Sequence, residues 1–149
     1  MDIESLLKSL NAHAVEYVII GASALPVHGY VRATEDLDIF IRPEEANARR
    51  LLDALRQFGY DVADLTVEDL LKFKVLFRQY VVAADLHPFV EGSTFDQVWQ
   101  HRVQGELGGT PVTFASLEDL IRMKEAANRP KDQEDLRVLR ELLRRRNKS

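Results

Sequence analysis

Two aspartates one residue apart, Asp36-Leu37-Asp38, follow a turn of small residues, Gly21-Ala22-Ser23-Ala24, with eleven residues between them. Alternate residues of a strand point the same way, so a strand over Asp36 projects both carboxylates side by side. Like charges held together are unfavourable unless a cation lies between them. Magnesium suits such a place, since it takes one or two carboxylates and completes its shell with phosphate oxygens and water. A strand that ends at Gly21 and enters a helix would offer backbone N–H groups to a phosphate. Ala22 and Ser23 are small enough for close approach, and the Ser23 hydroxyl is expected to donate to the anion. Either element alone is common, as a solvated strand end or as turn punctuation. Their order in one chain is the more specific signal.

The elements that must position these residues can be read from periodicity. Residues 2–12 predict a helix with Ile3, Leu6, Leu7 and Leu10 on one face. Val15 to Ile20 predicts a buried strand from its β-branched content, and Ala22 to His28 a short helix closed by Gly29. Asp36 to Ile41 predicts a strand with Leu37, Ile39 and Ile41 opposite Asp36, Asp38 and Phe40. Pro43 opens a helix over 44–58 whose buried stripe is Leu51, Leu55 and Phe58. Thr66 to Asp69 has capping-box spacing for a short turn, and strands are expected over 72–77 and 80–86 around Arg78-Gln79. A helix over 94–101 and a hairpin of 103–107 with 111–114 through Gly108-Gly109 follow. Ser116 to Asp119 caps a helix running to about Ala127, Arg129-Pro130 breaks it, and a last helix spans 132–145. No repeat or linker interrupts the pattern, so a single domain over 1–149 is expected. Its fold class is α/β (α+β), a mixed sheet flanked by helices with helices at the C-terminus.

Residues 17–41, Tyr-Val-Ile-Ile-Gly-Ala-Ser-Ala-Leu-Pro-Val-His-Gly-Tyr-Val-Arg-Ala-Thr-Glu-Asp-Leu-Asp-Ile-Phe-Ile, resemble the signature of the nucleotidyltransferase superfamily that includes DNA polymerase beta. The resemblance is to small prokaryotic members, in which a Gly-Gly or Gly-Ser turn precedes Arg-x-Thr-x-Asp-hydrophobic-Asp. Ala22 stands where the second glycine would be. The resemblance implies a third carboxylate on a neighbouring strand, and Asp85 is the matching residue. The alternative for Asp85 is a strand-exit carboxylate bonded to a backbone N–H or an arginine. It also implies magnesium or manganese held by Asp36, Asp38 and Asp85, with a nucleoside triphosphate as substrate.

A second resemblance covers Ala115 to Lys124 and the following Arg129-Pro130-Lys131-Asp132-x-x-Asp135, similar to the closing helices of abortive-infection-type nucleotidyltransferase toxins. It implies that Lys124 and Arg129 lie near the nucleotide. Equally open is an ion-pair network of Lys124, Arg129, Asp132 and Asp135 that pins two helices. Arg32 could steady a phosphate or pair with a neighbouring acid, and Thr34 could share the face of the aspartates. His28 reads as a cap or packed residue. His87 follows Asp85 closely, but with Pro88 next to it a turn role is equally open.

Composition bounds the rest. The net charge of −4 argues against a generally basic nucleic-acid surface, and Arg144 to Lys148 reads as a solvated helix end. The absence of cysteine removes disulfides and thiolate chemistry. No signal peptide and no apolar run near the roughly 18 residues of a membrane span is visible, so a cytoplasmic location without membrane partners is expected. The expected activity is transfer of a nucleoside monophosphate to an RNA such as tRNA, a protein or a small molecule, releasing pyrophosphate. The alternative is a non-catalytic nucleotide-binding or regulatory module with a cognate partner protein, as one half of a toxin–antitoxin pair.

Overall fold

A computed structural model describes residues 3–30, 36–78 and 83–148. The elements in chain order are α1 (Ile3–Ala12), β1 (Tyr17–Ile20), β2 (Asp36–Ile41), α2 (Glu45–Phe58), α3 (Val67–Lys72), β3 (Val75–Phe77) and β4 (Ala83–His87). They continue with α4 (Phe95–Gln100), β5 (Val103–Leu107), β6 (Thr110–Phe114), α5 (Leu117–Ala127) and α6 (Gln133–Lys148). The strands form one mixed sheet in the order β3-β4-β2-β1-β6-β5. β2 lies at its middle, antiparallel to β1 and parallel to β4. All four residues of β1 are buried, the mark of a strand covered on both faces.

Helices supply that cover. Leu6, Leu7 and Leu10 of α1 are fully buried, and α1 packs against α2. Leu51, Leu55 and Phe58 of α2 are buried as the helical period requires. Asn47 of α2 accepts from the Glu16 N–H at 2.8 Å and donates to the Glu16 and Arg42 carbonyls. One buried amide thus ties the entry of β1 to the exit of β2. On the aspartate face of β2, Phe40 meets Phe95 of α4 edge-on, with centroids 5.2 Å apart. α4 therefore closes that face at Phe40, while the half-buried Asp36 and Asp38 lie at its open end.

The C-terminal part is a hairpin followed by two packed helices. Gly108 and Gly109 both have positive φ, as the two-residue turn between β5 and β6 demands. Ser116 caps α5 by accepting from the Asp119 N–H, but the Asp119 carboxylate does not complete a reciprocal box. It turns instead to His101 and Arg122. Arg144 and Arg145 pair with Glu141, and Arg146 reaches Glu118 on α5. Part of the basic end of α6 therefore ties it to α5.

Three expectations shift. The helix expected over 22–28 is two successive 3-10 turns, Gly21–Ala24 and Pro26–His28. Pro26 lacks an N–H and stands in the middle of that stretch, which prevents a continuous α-helix. Lys72, expected to begin a strand, is the last residue of α3, whose capping box at Thr66 and Asp69 is complete. β4 runs to His87, one residue further than expected. No helix among the described residues is long and apolar enough to cross a membrane.

Candidate active site

The central feature is a register. In the β2–β4 ladder Asp38 is paired with Asp85, and on its other side Asp38 is paired with Ile20, the last residue of β1. The three aspartates line one cleft of about 740 Å³, together with Gly21 and Ala22. Asp36 and Asp38 share a strand face by alternation, and the parallel pairing brings Asp85 to the same face.

The chain passes very close to this cluster at Gly21. Its φ is +66°, and a Cβ built there would stand 2.6 Å from Asp38 Oδ2. Glycine is required at this point both for its backbone conformation and for the space it leaves the carboxylate. Ser23 does not face the cleft as expected. It is buried, and its hydroxyl donates to the Asp36 carbonyl at 3.1 Å. That bond fixes the turn against the start of β2 and takes the hydroxyl away from any phosphate. Because the following segment is only a 3-10 turn, a helix dipole contributes little here. Arg32 and Thr34 lie outside the described residues.

The sequence did not identify two partners of the carboxylates. Arg78 Nη1 donates to Asp85 Oδ1 at 2.6 Å, and its Nη2 lies 3.6 Å from Asp36 Oδ2. This is the arginine partner held open for Asp85. The hydrogen bond that Arg78 donates to Asp85 is the main reason its guanidinium titrates above its usual range. His87 Nε2 lies 2.9 Å from Asp38 Oδ1. With Phe40 as its ladder partner, His87 sits one step beyond Asp85 on the same face of β4. Asp38, Asp85 and His87 each offer a donor atom, all within 4.8 Å of one another. Two hard carboxylates with an imidazole form a donor set that fits a divalent cation.

The opposite wall comes from the C-terminal helices. Lys124 Nζ is 3.2 Å from both Asp132 and Asp135, and all three are buried. Arg129 contacts Asp132 through Nε at 2.6 Å and Nη2 at 3.0 Å, with its side chain about half exposed. The ion-pair network weighed for these residues is therefore present. Lys124 and Arg129 nonetheless line the cleft, as do Lys74, Lys131 and Tyr30, which sequence reasoning did not single out. His28 is a packed residue, its Nε2 donating to the Ala115 carbonyl at 2.8 Å.

An adjoining recess of about 240 Å³ is lined by Phe89, Val90, Leu120, Met123 and Ala127. It shares Gly21, Lys74, His87, Lys124 and Arg129 with the acidic cleft. The site thus has an acidic floor, a basic wall and an apolar annex. No curated protein matches the chain. Residues 1–145 match the family described as nucleotidyltransferase of unknown function (DUF6036), and the chain belongs to that family.

Proposed function

We propose that the cleft transfers a nucleoside monophosphate from a nucleoside triphosphate to an acceptor hydroxyl on an RNA, a protein or a small molecule. The acceptor oxygen bonds to the α-phosphorus, the bond from that phosphorus to the α,β-bridging oxygen breaks, and pyrophosphate leaves. The observation that carries this reading is the in-register pairing of Asp38 with Asp85, beside a glycine that makes room for the Asp38 carboxylate. Asp36, Asp38 and Asp85 would hold magnesium or manganese, which when bound neutralises phosphate charge and aligns the acceptor oxygen. Gly21 and Ala22 leave the phosphates a close approach along the backbone. Arg129, held by Asp132 yet half exposed, faces the same space as a cation for the β- or γ-phosphate. The apolar recess beside the cleft suits the base. Asp85, which engages Arg78 through Oδ1, takes the acceptor proton.

The test is transfer of label from an α-labelled triphosphate to an acceptor in cell lysate. Label should appear with the wild type and vanish in the Asp36→Ala, Asp38→Ala double variant. Gamma label would report a kinase or hydrolase instead. If the folded wild type binds triphosphate but transfers nothing, the enzyme reading fails.

One observation favours a second reading. Arg78 already sets a cation against Asp85 and near Asp36. A chain that kept this contact would bind nucleotide without turnover, as a regulatory module. Such a module would act through a partner protein, as one half of a toxin–antitoxin pair does.

A further inference from the structure

We propose that His87 is a nitrogen ligand of the bound metal, and that the site prefers manganese to magnesium. This rests on the metal-dependent reading above and goes beyond its three carboxylates. β4 continues through His87, so the imidazole and the Asp85 carboxylate leave the same face of one strand. The parallel register sets Asp38 opposite Asp85, and the His87 ring reaches diagonally back to Asp38, with Nε2 at 2.9 Å from Oδ1. The ring is mostly sheltered, with 17% of the side chain exposed, and lines both the acidic cleft and the apolar recess.

An octahedral ion with ligands at roughly 2.1 Å sets its donors about 3 to 4 Å apart. The donor atoms of Asp38, Asp85 and His87 lie within 4.8 Å of one another, so a small closing of the side chains meets that spacing. The nitrogen donor pairs with Asp38, whereas Arg78 contacts Asp85 and Asp36. Magnesium is hard and is held by oxygen, whereas the affinity order of nitrogen-containing sites begins at manganese and rises along the first transition row. An imidazole in the shell shifts the preference in that direction. The competing role is purely positional, with His87 steadying the Asp38 carboxylate and never touching the metal.

Manganese itself reports the difference. The purified chain with equimolar Mn2+ and no nucleotide should show in pulsed EPR the nitrogen coupling of a directly bound imidazole. His87→Gln should remove that coupling and weaken Mn2+ at least about tenfold, as loss of a metal-site group commonly does. By calorimetry, Mg2+ affinity should change far less than that of Mn2+. The wild-type spectrum needs no variant, so a poorly folded His87→Gln does not spoil the test. Bound manganese without nitrogen coupling overturns the proposal and leaves the transfer reading intact. So does an unchanged ratio of manganese to magnesium affinity in a folded variant. Failure of the wild type to bind either ion would defeat both readings together.

Discussion

A Cβ at position 21 would stand 2.6 Å from Oδ2 of Asp38, so the turn after β1 and the carboxylate on β2 fit together only because residue 21 is glycine. Gly29 offers a control. Its φ is also positive, at +94°, but nothing lies within 4 Å of where its Cβ would be. Alanine at either position should cost roughly 1–2 kcal/mol through the left-handed backbone alone. Gly21→Ala should lose more, and should weaken divalent-metal binding, because Asp38 must move. Gly29→Ala should leave metal binding unchanged. Thermal denaturation and metal titration of both variants test this, and equal effects at the two glycines would defeat it.

The contact of Arg78 with Asp85 makes an opposite prediction for a metal. Asp85 is only 9% exposed at its side chain, whereas Arg78 is 47% exposed. Arg78→Gln should therefore destabilise the metal-free protein only modestly, since solvent screens the guanidinium. The same variant should bind manganese or magnesium more tightly, since a competing cation has gone. Added metal should then raise its melting temperature by more than it raises that of the wild type. A smaller metal-induced rise in the variant would show that Arg78 helps the metal to bind.

The aspartate pair was legible in the sequence because strand alternation is a local property: Asp36, Leu37 and Asp38 need only be extended for two carboxylates to share a face. Asp85 could not be matched to Asp38 by periodicity, since a parallel register depends on elements far apart in the chain. The resemblance supplied that residue, and the ladder shows it opposite Asp38. His87 was missed as a neighbour of Asp38 because the strand was ended one residue early, at the residue before His87-Pro88. Arg78 was passed over because its reach to Asp85 depends on the pairing of β3 with β4. The 3-10 turns over 21–28 have a visible signal in Pro26, whose missing N–H interrupts a helix at that point.

Lys124 separates two roles by measurement. Its amine lies between two buried carboxylates, and removing one member of a buried ion group commonly costs about 3–5 kcal/mol. Lys124→Met should therefore lower the melting temperature by roughly 6–20 °C, at about 2–4 °C per kcal/mol for a chain of this size. Its effect on nucleotide affinity in the folded protein should be smaller. A full-stability variant that no longer binds nucleotide would assign Lys124 to the phosphates instead.

Asp132 in the same network gives a prediction with a defined sign in pH. Burial alone would raise its carboxyl, but the Arg129 hydrogen bond and the Lys124 ammonium outweigh that and hold it below the ordinary range. The folded state therefore binds the Asp132 proton less readily than the unfolded chain, whose aspartate titrates near pH 4, about 3.9. The resulting stabilisation is fully present above that value and is lost as pH falls through the lower pKa of the folded state. Asp132→Asn carries no titrating carboxyl there and also lacks the charge that Arg129 and Lys124 meet. At pH 7 the variant should be clearly less stable than the wild type. As pH falls below about 4 the wild type should lose stability faster, so that the two melting curves approach one another. Glu118→Gln provides the comparison, because Arg146 also holds Glu118 below its usual range although that pair is half exposed. Its convergence should be smaller and should fade in high salt, which screens exposed charges more than buried ones. Parallel pH profiles for the wild type and Asp132→Asn would mean that the network does not carry its stabilisation through this carboxylate.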